Sequence, residues 1–220
     1  MQTSSGHFNI VPAHGRRCCP IGSRVIPANV TFTKLSTVVP VSLRPYTHVP
    51  DTVFCDHIST HASCVNIRDY SKGGDVCNPH EFPWHAASRF AKTLSEKAKS
   101  TREHVGLLKL VSGPLEDFIL GRQGKKRDET MELSNIGRFP ADESTPASDP
   151  RWTIEDTYIV QSDAICGSAF KIMIIGSPAG SIGITINWTV GVVDEVLAES
   201  FVTRFTKLID AFCASRGERS

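Results

Sequence analysis

At 220 residues the chain is long enough to bury a sizeable core as one domain, and its 40% hydrophobic and 21% charged residues are those of a globular protein. A formal net charge of +1 gives no electrostatic reason for a nucleic-acid partner. No apolar run approaches the roughly 20 residues of a membrane span, no basic-then-apolar leader opens the chain, and seven irregularly spaced cysteines suit reduced thiols in an intracellular, cytoplasmic setting.

Met1–Asn29 is punctuated by Pro12, Gly15, Pro20, Gly22 and Pro27 and reads as an irregular N-terminal segment. Order is expected from 30 to 214, with 215–220 as a tail. Thr37–Leu43 alternates Val39, Val41 and Leu43 on one face, and Pro40 confines it to an edge or a bulge. Arg44-Pro45-Tyr46 ends that strand. Val53–Ile67 is again β-like.

Glu81–Ser100 has helical periodicity, with Trp84, Ala87, Ala91, Leu94 and Ala98 as its apolar stripe. Short helical turns follow at Val105–Val111 and Leu115–Leu120, a charged loop at Gly121–Thr130 and a strand at Met131–Phe139. Ala141–Arg151 reads as a linker, and Trp152–Asp163 alternates as another strand.

The strongest pattern is Ser168–Val190. Phe170–Ile175 is a continuous apolar run broken only by Lys171, which suggests a strand buried on both faces. Gly176–Ser181 supplies turn residues. Ile182, Ile184, Ile186, Trp188 and Val190 then alternate with Gly183, Thr185, Asn187 and Thr189, predicting a hairpin. A closing helix over Asp194–Cys213 has Asp194 as N-cap and Leu197, Phe201, Phe205, Leu208 and Phe212 as its stripe. The pattern implies an α+β fold with a largely antiparallel mixed sheet covered by two long helices.

Three constellations could carry chemistry. Cys55, His57, His61 and Cys64 resemble a metal set, but on a strand Cys64 points away from the other three, so polar lining is the plainer reading and no metal is expected. Gly124-Lys125-Lys126-Arg127 is a basic loop that could meet phosphates, or simply a solvated one. Ser134-Asn135-Ile136-Gly137 ends a strand with hydroxyl and amide donors of the kind that steady an oxyanion, though such a turn needs no function. There is no G-x-S-x-G elbow, P-loop or dinucleotide fingerprint.

Taken in order, PVSLRPY (40–46), DTVFCDHISTH (51–61), the Trp84-started helix, GKKRDETMELSNIGRF (124–139), WTIEDTYIVQS (152–162), the hairpin and GVVDEVLAESFVTRF (191–205) resemble the C-terminal half of fungal alcohol acetyltransferase-like proteins. These belong to the superfamily of chloramphenicol acetyltransferase, plant BAHD acyltransferases and peptide-synthetase condensation domains. The resemblance implies one lobe of a two-lobed CoA-dependent acyltransferase fold. Its substrates would be acyl-CoA (acetyl-CoA) and a small alcohol, with no metal.

In that family the histidine of H-x-x-x-D is the base. None of the eight histidines here has an aspartate four residues later. The chain is therefore expected to be a truncated form lacking the catalytic lobe, with Ser134 and Asn135 as oxyanion or positioning donors and Lys125, Lys126 and Arg127 on the CoA phosphates. The alternative is a non-catalytic binding or assembly module, or inactive remnant, that pairs with a separate N-terminal lobe or forms a homodimer.

Overall fold

The computed structural model describes residues 8–14, 33–50, 53, 55, 57–66, 82–106, 110–139, 154–162 and 166–217. Its strands are β1 (Phe8–His14), β2 (Lys34–Ser42), β3 (Ile58–Asn66), β4 (Met131–Arg138), β5 (Phe170–Gly176) and β6 (Ile182–Trp188). The helices are α1 (Arg44–Thr47), α2 (Trp84–Ala98), α3 (Arg102–Gly106), α4 (Leu115–Leu120) and α5 (Glu195–Gly217). All six strands form one sheet in the order β1-β6-β5-β4-β2-β3.

The hairpin is the middle of this sheet. Phe170 pairs with Trp188, Ile172 with Ile186 and Ile174 with Ile184. Its turn is closed by Ser177 N–H donating to Ser181 O (2.8 Å) and by contact of the two hydroxyls at 2.7 Å. Gly180 there takes φ +102°, a conformation that side chains rarely adopt. One face of the hairpin carries Phe170, Ile172, Ile184, Ile186 and Trp188, which pack with Ala198 of α5 as a single core cluster. Met131 and Leu133 of β4 and Phe201, Val202 and Phe205 of α5 extend it.

Asp194 caps α5 as expected, its Oδ1 accepting the Leu197 N–H at 2.9 Å. The stripe of α5 is rotated from the expected one. Ala198 is fully buried whereas Leu197 is 59% exposed. Phe201 and Phe205 pack beside Ala198 against the core cluster. In α2 the same correction applies: Ala86 is buried, Phe90 is half-buried and Ala91 is exposed. Trp84 is exposed and leaves that stripe to join Phe82 and Phe212, with ring centroids 4.8 to 5.4 Å apart.

Four further expectations are corrected. The sheet is mixed, not largely antiparallel, because β1–β6, β2–β4 and β4–β5 are parallel while β2–β3 and β5–β6 are antiparallel. The N-terminal segment is not wholly irregular, since β1 within it satisfies the outer edge of β6. Helix α5 runs to Gly217, into the expected tail. Residues 154–162 are in no ladder at all. The linker Ala141–Arg151 lies outside the described residues.

Pro40 sits in β2 between two neighbours. Leu43 N–H donates to His57 O at 2.9 Å, so alternation along the β2–β3 ladder turns the Pro40 nitrogen away from β3. On the β4 side pairing covers only Thr37 and Val38. The missing N–H therefore costs no ladder bond.

The core geometry gives two expected outcomes in equilibrium unfolding. Ile186→Ala should cost about 2–5 kcal/mol, as for other fully buried isoleucines. Leu197→Ala should stay within about 0.5 kcal/mol because its side chain is mostly in solvent. Equal losses at the two positions would contradict the rotated α5 stripe.

Candidate functional site

The second face of the hairpin carries buried Lys171, Thr185 and Asn187 beside the buried apolar Met173 and Ile175, and it is crossed by the segment 154–162. In-register pairs lay rows across three strands: Glu132–Lys171–Asn187 and, beside it, Ser134–Met173–Thr185. Lys171, Thr185 and Asn187 are 5%, 1% and 4% exposed. A lone lysine inside an apolar strand is costly to bury unless its ammonium is bonded. Here Lys171 Nζ donates to Ser162 O at 2.7 Å. Asn187 Nδ2 donates to Gln161 O at 3.1 Å and Ser181 Oγ to Glu155 O at 3.0 Å.

The covering segment thus turns carbonyl oxygens onto the sheet, and side chains of β5 and β6 hold it in place of a ladder. Gly183 permits the contact, since a Cβ there would lie 2.1 Å from Thr157 O. Thr157 Oγ1 and Asn187 Oδ1 are buried without a hydrogen-bond partner among the described residues. This face therefore holds unused polar capacity beside a cationic side chain.

Ser134 and Asn135 do not converge. Successive side chains on a strand leave opposite faces. Ser134, opposite Met173, joins the polar face with Lys171 and Thr185. Asn135, opposite Ile174, is on the helix-covered face, and its Oδ1 accepts the Gly137 N–H at 2.9 Å. That bond accompanies a register shift between Asn135 and Arg138, with Gly137 at φ +85°. Asn135 thereby shapes the end of β4.

The basic loop also divides. Lys125 and Lys126 are exposed, whereas Arg127 is half-buried and its guanidinium donates to the carbonyls of Gly167 (3.3 Å) and Ser168 (3.2 Å). It ties the loop to the start of β5. Beside the loop Arg122 pairs with Asp128, and burial first, then Asp128, raises the pKa of Glu129.

Among the described residues no group of three or more His, Cys, Asp or Glu side chains could hold a metal ion. Cys55 and His57 precede β3, His61 is on its helix-covered face opposite Val39, and Cys64 is exposed on the other. Among the described residues no helix is long and apolar enough to cross a membrane.

Alternation in the sequence puts Thr185, Asn187 and Thr189 on one polar face and assigns Lys171 no role. The available signal was that single charge within six otherwise apolar residues.

Comparison with known proteins gives one informative relative. Over 167 residues the chain is 22% identical to a probable alcohol acetyltransferase, crmB, of Aspergillus fumigatus. The match covers 73% of this chain and 36% of that protein, so the chain spans about a third of the relative's length. No protein-family profile matches, and no solved structure does. The likeness supports an acyltransferase-like relationship.

His61 gives a pH expectation. Burial first, then repulsion by His104 and Lys97, lowers its pKa below the ordinary imidazole value. Folding then disfavours the protonated form, so the stabilisation is fully present above the unfolded pKa of about 6.5 and is lost as pH falls through the folded value. Denaturant midpoints at pH 5 and pH 7.5 should differ less in His61→Asn than in the native chain. An unchanged difference would contradict the assignment.

Proposed function

We propose that the chain belongs to an acyl-CoA-dependent alcohol O-acyltransferase and supplies part of its substrate-binding wall rather than its general base. The observation that carries this reading is the likeness to a probable alcohol acetyltransferase. The ordered resemblance from Pro40 to Phe205 supports it.

In such a transfer a base removes the alcohol's hydroxyl proton, and the oxygen attacks the thioester carbonyl carbon. The carbonyl carbon becomes tetrahedral and its oxygen an oxyanion until the C–S bond breaks and CoA leaves as thiolate. Ser134 Oγ–H, on the polar face of β4, is the donor assigned to that oxyanion. Asn135 positions β4 through its bulge bond to Gly137. Lys125 and Lys126 are exposed and suited to CoA phosphates, while Arg127 holds their loop against 167–168. The base must come from outside this chain's histidines, none of which has the H-x-x-x-D spacing.

Titration calorimetry tests the binding half. The chain should bind CoA and acetyl-CoA, more weakly at high salt, and Lys125→Ala with Lys126→Ala should weaken binding without altering thermal stability. Absence of binding by the folded native chain overturns the reading.

Turnover tests the other half. The purified chain alone should transfer no acetyl group from acetyl-CoA to a simple alcohol. With a base-supplying partner, Ser134→Ala should lower kcat by about 10²–10³ and leave acetyl-CoA binding nearly unchanged. Undiminished kcat would remove Ser134 from the oxyanion role.

A further inference from the structure

Residues 154–162 have the alternation of a strand and lie outside every ladder of the sheet. Yet they follow β6 residue by residue. Glu155 O meets Ser181 and Gln161 O meets Asn187, each 26 positions apart. Thr157 O stands over Gly183, again 26 apart. A constant offset of one sign is the register of a parallel strand. The segment runs alongside β6, on its polar face instead of at its edge.

The outer edge of β6 is taken by β1, which is also parallel, with Asn9 opposite Gly183 and Ala13 opposite Asn187. β1 serves that edge despite its proline. Pro12 has no N–H, so the ladder donors facing β6 come from the alternate residues Asn9, Val11 and Ala13. Residues 154–162 contain no proline. Ile154 and Val160 on them are exposed, apolar residues of the kind that a sheet position normally covers.

We propose that the outer edge of β6 is an exchangeable strand-acceptor site: when β1 leaves, residues 154–162 move from the polar face into the edge, with Thr157 opposite Gly183. The two segments compete for the same N–H and C=O groups of β6, so the sheet keeps its edge pairing in both states. The exchange also uncovers Lys171, Thr185 and Asn187, as the bonds of Lys171 to Ser162 and of Asn187 to Gln161 break when the segment departs. Access to the polar face is thereby coupled to the N-terminal strand. This inference stands on register and contacts and does not depend on the acyltransferase reading.

Hydrogen exchange on two full-length variants tests it from opposite sides. Val11→Pro removes a β1 donor that faces β6. Gly183→Ala places a Cβ where Thr157 O now sits, displacing 154–162 from the face so that its remaining pairing position is the edge, in competition with β1. In both, amides of 155–161 should slow by about tenfold or more as those of 9–13 lose protection, with the β5 and β6 amides still protected. Unchanged exchange at 155–161 in either folded variant overturns the proposal. If Val11→Pro does not fold, Gly183→Ala decides, and loss of the fold in both also overturns it because the exchange preserves the sheet.

Discussion

Everything described in this protein depends on the packing of the β5–β6 hairpin against α5. Ile186 and Ala198 are fully buried in one cluster, which Phe170, Trp188 and Phe201 complete. Phe170 and Phe201 stand 5.2 Å apart between ring centroids, and Phe201 and Phe205 6.0 Å. Because side chains alternate along a strand, fixing this apolar face fixes the other one as well. Lys171, Thr185 and Asn187 are buried and polar because Ile172, Ile184 and Ile186 must face the helix.

That polar face is stabilised in an uncommon way. An ordinary sheet face is covered by apolar side chains, whereas here an extended segment lies over it and presents carbonyl oxygens. The match is chemical: an ammonium and an amide on the sheet meet Ser162 O and Gln161 O above. It is also steric, since the missing side chain of Gly183 leaves room for Thr157 O. Such a cover is held by a few side-chain bonds, each worth about 1–3 kcal/mol, instead of a cooperative ladder. The same bonds that bury Lys171 thus make its cover separable from the sheet.

The acyltransferase reading gains a more differentiated set of residues from this arrangement. Ser134 shares a face with Lys171 and Thr185, Asn135 organises the bulge at the end of β4, and Arg127 anchors a loop whose two lysines remain in solvent. Residues adjacent in sequence have taken separate tasks. Alternation separates Ser134 from Asn135, and a guanidinium within reach of two backbone carbonyls separates Arg127 from Lys125 and Lys126.

The sequence by itself determined the hairpin, its turn, the Asp194 cap, a helix within 81–100, the helix over 115–120 and the strand that begins at Met131. These rest on local periodicity, capping and turn chemistry, which act within a few residues. It did not determine which strands are parallel, that Phe8–His14 closes the edge of β6, or that 154–162 lies over the sheet despite its strand pattern. Nor did it place Leu197 in solvent and Ala198 in the core, because an apolar stripe two residues wide can be rotated until a partner surface selects one side. Those outcomes are set by contacts between residues far apart in the chain. Which edge is free, how much room Gly183 leaves and which carbonyl Lys171 can reach exist only once the sheet has formed.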